Sequence, residues 1–95
     1  MARTALDLLE LEQRALGAMN AGHMKEAAAL YIEIIAQDSG WEHGTAQYCL
    51  AGCYEDLGEL ILAEECYRKA LSYEPENPTF VDGLASFLHL HGSRS

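Results

Sequence analysis

The sequence predicts an all-α fold in which two helical hairpins are followed by one terminal helix. Similar residues recur at intervals of 36 and 34 positions, as in chains built from repeated helical units. Within each unit, the apolar residues follow a helical rather than an alternating period. Both prolines, Pro75 and Pro78, lie late in the chain, so the first two thirds lack the strongest helix breaker. With 95 residues, the chain is expected to form a single domain.

The internal repeat divides the chain into units. At the 36-residue interval, Ala15, Gly22, Ala27 and Tyr31 align with Ala51, Gly58, Ala63 and Tyr67. At the 34-residue interval, Leu50, Ala51 and Gly58 align with Leu84, Ala85 and Gly92. The two extra residues fall in the segment 38–44, which is predicted to be a longer loop. The units are therefore repeat 1 at about residues 8–43, repeat 2 at about 44–77 and a half repeat at about 78–92.

The first unit begins with a helix that runs from Thr4 to about Asn20. Thr4 with Asp7 resembles a capping box, which satisfies backbone N–H groups at a helix start. Gly22 then ends the helix, because glycine adopts the left-handed cap conformation without a steric cost. Residues 23–37 are predicted to form the antiparallel partner helix.

The second unit follows the same plan, with helices at about 45–57 and 60–73 separated by Gly58. Asn77-Pro78 then opens a last helix, about 79–91, since asparagine is a good N-cap and proline suits the first helical turn. Small residues recur where the helices of a hairpin would meet, because only short side chains let two helices approach closely. The expected contact pairs are Ala15 with Ala27 and Ala51 with Ala63, and Tyr31, Tyr54 and Tyr67 are expected to fill the space between hairpins.

These residues resemble the repeat pattern of the tetratricopeptide repeat family. The second unit reads Gln47-x2-Leu50-Ala51-x2-Tyr54, then Ala63-x3-Tyr67, Ala70 and Pro75, against W-x2-L-G-x2-Y…A-x3-F…P in the family. The first unit departs further, with Arg14 in place of leucine and Ala18 in place of tyrosine. The resemblance implies a right-handed superhelix whose first helices line a concave groove for a partner peptide. It also implies a non-catalytic adaptor without a cofactor or bound metal.

The resemblance also indicates which side chains line the groove. By position they are Leu9, Glu12, Leu16, Met19, Tyr48, Glu55, Asp56, Asp82 and His89. Family members that grip a terminal carboxylate use Lys, Arg and Asn on these faces, whereas Glu12, Tyr48 and Asp82 stand here. The expected ligand is therefore a basic or amphipathic protein segment that carries Lys or Arg beside a few apolar anchors.

The composition excludes several other partners. Acidic residues outnumber Lys and Arg by 15 to 6, which gives a formal net charge of −9. Nucleic acid and anionic membrane surfaces would repel such a chain. The sequence shows neither a secretory signal pattern nor an apolar stretch long enough to span a membrane. A soluble, cytoplasmic protein is expected, since the odd number of cysteines, 3, does not predict a disulfide framework.

An alternative role is assembly. Phe80, Leu84 and Phe87 share one face of the terminal helix at three- and four-residue spacing. A helix that follows this one in a longer array would normally cover one of its faces. We therefore expect these three residues to lie outward, with three explanations open: the chain is part of a longer repeat array, it dimerises through this self-association face as a structural protein, or a partner binds there.

No motif predicts catalysis or a metal site. Cys53 and Cys66 fall on the hairpin-contact stripes, where cysteine acts as a small apolar residue, and Cys49 lacks the partners of a known metal spacing. The glycines are dispersed at helix ends and form no phosphate loop. Trp41, in the predicted loop, leaves two interpretations open: it packs against the first hairpin, or it is an exposed contact for a partner.

Overall fold

The computed structural model describes residues 5–92, which form five α-helices and contain no β-strand. The helices are α1 (Ala5–Asn20), α2 (Met24–Gln37), α3 (Thr45–Asp56), α4 (Leu60–Tyr73) and α5 (Pro78–His91). A short 3₁₀ turn, Trp41–Gly44, precedes α3. The predicted all-α class and the order of the helices are confirmed. The predicted cap Thr4 lies outside the described residues.

Glycine ends the first helix of each hairpin. Gly22 has φ = +83° and Gly58 has φ = +80°, a region that costs a residue without Cβ little. The following N–H groups, of His23 and Glu59, donate to carbonyl oxygens five residues back at 2.8 and 2.9 Å. This is the Schellman arrangement, which satisfies the last free carbonyls of a helix.

The last helix begins as predicted. The Asn77 side chain accepts hydrogen bonds from the backbone N–H groups of Thr79 and Phe80, at 2.9 and 3.3 Å. Pro78 occupies the first helical turn, where its missing N–H removes no helical hydrogen bond. The start of α5 is therefore fixed by sequence-local chemistry.

Alanine pairs hold the two hairpins together. Ala15 and Ala27 of the first hairpin, and Ala51 and Ala63 of the second, are all fully buried at 0% exposure. Because a methyl group is the largest side chain at these contacts, the helices of each hairpin can pack closely along their length. The burial expected for these four alanines is confirmed.

Two apolar clusters form the core. The first joins α1, α2 and α3 and includes Leu11, Tyr31, Ile34, Leu50 and Cys53. The second joins α3, α4 and α5 and is built around Ala51, Ala63, Tyr67, Leu84 and Phe87. Trp41 is half-buried against the first cluster, which settles its two interpretations in favour of packing on the first hairpin.

The loop before α3 has an unusual backbone. Glu42 and His43 both have φ = +54°, and Gly44 has φ = +99°. Left-handed conformation is costly for residues with a Cβ. At Gly44 an added Cβ would lie 3.0 Å from the carbonyl oxygen of Ala70 and 3.3 Å from the ring of Phe80. The loop thus turns sharply so that the start of α3 can lie against the end of α4 and the start of α5.

The prediction that Phe80, Leu84 and Phe87 form an outward self-association face is wrong. Their exposures are 3%, 9% and 0%, and they pack inward on the second hairpin. The repeat alignment supplies the physical reason. Counting back 34 residues, they occupy the positions of Ala46, Leu50 and Cys53, which α3 buries against the preceding hairpin.

Candidate functional site

A concave depression lies between α3 and α5, with a volume of about 360 Å³. Three of its lining residues were predicted for the groove, namely Tyr48, Glu55 and Asp82. The others are Tyr67, Thr79, Gly83 and Ser86. We call this surface the acidic depression, since its two ionisable carboxylates face no Lys or Arg among the lining residues.

The floor of the acidic depression is aromatic. The ring of Tyr48 stacks on Phe80, with centroids 5.2 Å apart, and meets the edge of Tyr67 at 5.7 Å. Gly83 allows this approach, because a Cβ at that position would lie 2.5 Å from Cε1 of Tyr48. A residue with any side chain would push the Tyr48 ring away from its place between α3 and α5.

Glu55 connects three helices. Its carboxylate accepts a hydrogen bond from the hydroxyl of Tyr67 at 2.8 Å, on α4, and lies 3.0 Å from Nε2 of His91, on α5. A carboxylate can only accept, so the imidazole donates in the second contact. Burial, followed by the hydrogen bond to Glu55, raises the pKa of Tyr67. Both Glu55 oxygens therefore have internal partners, which gives this residue a structural role in joining the helices.

The α1 residues predicted for the groove place apolar and acidic side chains on one face of the helix. Leu9 and Leu16 are exposed, and Glu12 and Met19 are half-buried. The pKa of Glu12 is raised, chiefly by burial and then by repulsion from Glu42; the indole of Trp41, which lies against the carboxylate, partly opposes this shift. Glu12 thus carries its charge at a position where charge is disfavoured.

The family model of the tetratricopeptide repeat matches residues 44–77. Residues 44–77 are therefore a tetratricopeptide repeat. The match spans α3, α4 and the turn that follows, the unit closed by the Ala51–Ala63 contact. No curated protein and no solved structure matches the chain. Tetratricopeptide repeats generally serve as modules of protein–protein interaction, and the match suggests this general role.

Not every predicted groove residue lines the acidic depression. Asp82 is exposed and lines it. Asp56 instead lines a different depression of about 610 Å³, between the end of α3 and the first turn of α2. His89 is exposed in the last turn of α5 and is not among the lining residues.

Sequence reasoning missed two residues of this site. The sequence analysis assigns no role to His91, yet this residue contacts Glu55 and packs on Phe87 with ring centroids 5.0 Å apart. A signal was available, because His91 continues the stripe of Phe80, Leu84 and Phe87 at helical spacing. Gly83 gave no such signal, since only the position of the Tyr48 ring explains a glycine inside a helix.

The three cysteines of the tetratricopeptide core are free thiols that pack as apolar side chains. Burial raises the pKa of both Cys53 and Cys66 to about 11, so little thiolate forms at neutral pH. Within residues 5–92, no three His, Cys, Asp or Glu side chains lie close enough together to hold a metal ion. None of the described helices is long and apolar enough to span a bilayer.

Proposed function

We propose that this tetratricopeptide chain is a non-catalytic binding module, and that its concave groove holds a partner segment carrying Lys or Arg beside apolar anchors. The observation that carries the proposal is the combination of the acidic depression, floored by the Tyr48 ring, with a second, half-buried carboxylate at Glu12. Positive charge on the ligand would complement the carboxylates of the acidic depression and the carboxylate of Glu12.

The energetics of Glu12 support a cationic ligand. Its carboxylate is partly desolvated and repelled by Glu42, and both effects disfavour the charged form. A lysine or arginine placed between these two carboxylates would relieve the repulsion. A charged group in an unfavourable position at a groove is typical of a binding site.

The neighbouring surfaces supply anchors for apolar side chains. Leu9 and Leu16 are 41% and 36% exposed on the α1 face that carries Glu12. In the acidic depression, Asp82 and the Tyr48 ring lie on one surface, so a ligand cation could pair with the carboxylate and contact an aromatic face. Carboxylates and apolar side chains thus alternate on these surfaces, and a ligand with alternating basic and apolar residues matches them.

The proposal can be tested through Trp41, the only tryptophan of the chain, which lies against Glu12. Its fluorescence is titrated with a short capped peptide of alternating Lys and Leu, and with a matched peptide that has Glu in place of Lys. We expect the Lys peptide alone to bind, and added salt to weaken it.

Variants locate the binding. Glu12→Lys and Asp82→Lys should each raise the dissociation constant of the Lys peptide by roughly tenfold or more. Glu65→Lys, an equal change of charge at an exposed α4 position, is the control and should have only a small effect. Equal effects of all three variants, or equal affinity for the two peptides, would contradict the proposal.

A further inference from the structure

Helix α5 carries an apolar face that the second hairpin does not cover. Val81 is 43% exposed, Ala85 is exposed and Leu88 is half-buried. These residues are spaced by four and three positions, so they lie along one side of the helix. This side is distinct from the buried stripe of Phe80, Leu84 and Phe87.

The repeat shows what covers the same side in the complete hairpins. The residues aligned with Val81, Ala85 and Leu88 are Gln47, Ala51 and Tyr54 in α3, and Leu11, Ala15 and Ala18 in α1. In both hairpins this side meets an antiparallel second helix, whose alanine is fully buried opposite the central alanine. The side of α5 therefore fits an antiparallel helix with a small residue at the centre of the contact.

The polar surface of α1 disfavours a contact in which a second copy stacks its first hairpin onto α5. The outer face of α1 is polar: Glu10, Gln13 and Arg14 are exposed at the positions where α3 has Ala46, Cys49 and Leu50. Apposing this face to Val81 and Leu88 would desolvate the charged side chains of Glu10 and Arg14 against apolar side chains. Head-to-tail stacking of two copies is thus disfavoured. The remaining way for two copies to meet at α5 is a symmetric contact between their α5 helices.

We infer that α5 pairs antiparallel with α5 of a second copy of this chain, with Ala85 of each copy at the twofold axis. Alanine permits the close approach that the two internal hairpins use. Residues equally distant from Ala85 then face each other, so Val81 packs near Leu88 of the other copy. Each α5 thereby covers the exposed apolar side of the other.

Hydrogen bonding supports this arrangement, since an imidazole N–H of His89 can donate to the carboxylate of Asp82. Asp82 and His89 lie on the same flank of α5, about three and four residues on either side of Ala85. A twofold axis perpendicular to both helices keeps that flank on one side, so Asp82 of each copy faces His89 of the other. The helix dipoles also oppose each other favourably. Both acidic depressions then open on the same side of the dimer.

Sedimentation equilibrium of the full chain tests the inference. We expect a reversible dimer with a dissociation constant in the micromolar range, because one helix pair is a small interface and each copy carries a net charge of −9. Ala85→Glu should raise the dissociation constant by roughly tenfold or more while circular dichroism shows an unchanged helical content. Ile61→Glu, at an exposed α4 position, should leave the dimer unchanged.

A charge exchange tests the orientation. His89→Glu should weaken the dimer, since the new carboxylate faces Asp82 of the other copy, and Asp82→Lys with His89→Glu should restore it. A wild-type chain that stays monomeric at high concentration overturns the inference and indicates that a helix of another protein covers the face. Equal weakening by the Ala85 and Ile61 variants, or no restoration by the exchange, overturns it as well.

Discussion

The molecule contains two junctions between successive units, and equivalent positions in them are filled differently. In the first junction, α3 packs on the first hairpin through Ala46, Leu50 and Cys53. In the second junction, α5 packs on the second hairpin at the same three repeat positions, which are now Phe80, Leu84 and Phe87. Two small residues of the first junction are thus replaced by two phenylalanines in the second.

This difference follows from the surroundings of each helix. Helix α3 is held by α4 as well as by the first hairpin, whereas α5 has no second helix within residues 5–92. Larger side chains bury more apolar area per residue, so α5 can be anchored by a single face. Its rings continue into a chain of contacts, in which Tyr67 and Phe87 have centroids 5.5 Å apart. Within the described residues, α5 is therefore anchored by large buried side chains and not by a second helix.

The largest expected effect contrasts the two junctions at equivalent positions. Phe87→Ala should lower the free energy of unfolding by about 3–5 kcal/mol, because it empties the fully buried anchor of α5. Cys53→Ala, at the equivalent position of α3, should cost only about 1 kcal/mol. Urea denaturation measures both values, and similar losses would show that α5 does not depend on its aromatic anchor.

Two helical glycines, Gly83 in α5 and Gly52 in α3, test how closely side chains pack against each helix. Gly83→Ala should destabilise the chain by about 1–2 kcal/mol, since the clash with Tyr48 outweighs the gain in helix propensity. Gly52→Ala is the control: its Cβ would make an ordinary contact, 3.8 Å from Met19, and should stabilise α3 by about 1 kcal/mol. If thermal unfolding shows melting temperatures that shift in the same direction for both variants, the result contradicts the close packing of Tyr48 on Gly83.

Two tyrosines, one in each junction, test the hydrogen bonds. Tyr67→Phe removes the donor to Glu55 and should cost about 1 kcal/mol. Tyr31→Phe removes a buried hydroxyl that has no hydrogen-bond partner, so it should be neutral or slightly stabilising. Chemical denaturation measures the free energy of unfolding of both variants. A larger loss of stability for Tyr31→Phe would contradict the conclusion that Tyr67, and not Tyr31, has the hydrogen-bonded hydroxyl.

The smallest effect concerns pH. The folded-state pKa of Glu12 is raised above its ordinary value of 4.5, so its ionised form lowers stability at neutral pH, and the loss disappears as the pH falls below that value. Glu12→Gln should therefore raise the melting temperature slightly at pH 7 and not at acid pH. The Glu65→Gln variant serves as the control for removing one charge. A gain of equal size at both pH values would exclude this explanation.

Much of the fold could be predicted because the information is local. Gly22, Gly58 and Asn77 define helix ends through their own backbone or side-chain chemistry, and the recurring alanines define the hairpin contacts. The inward orientation of Phe80, Leu84 and Phe87 is encoded less directly, because helical spacing alone does not distinguish the two apolar faces of α5. The 34-residue repeat distinguishes the faces, since it aligns Phe80 and Phe87 with Ala46 and Cys53, which α3 buries.

The groove was less accessible to sequence reasoning. The sequence indicates that Glu12, Tyr48 and Asp82 belong to one surface, since their repeat positions are equivalent. It does not reveal that Glu55 is engaged by Tyr67 and His91, because those partners lie on other helices and depend on how α5 packs. The left-handed Glu42 and His43 were also unpredictable, as neither residue type requires that conformation.

The most direct test of the proposed function is a nuclear magnetic resonance titration of the ¹⁵N-labelled chain with the capped Lys–Leu peptide. The account predicts amide shift changes concentrated on the concave faces of α1, α3 and α5, around Glu12, Tyr48 and Asp82, that diminish when salt is added. Changes confined to the exposed surfaces of α2 and α4, or no change at saturating peptide, would contradict it.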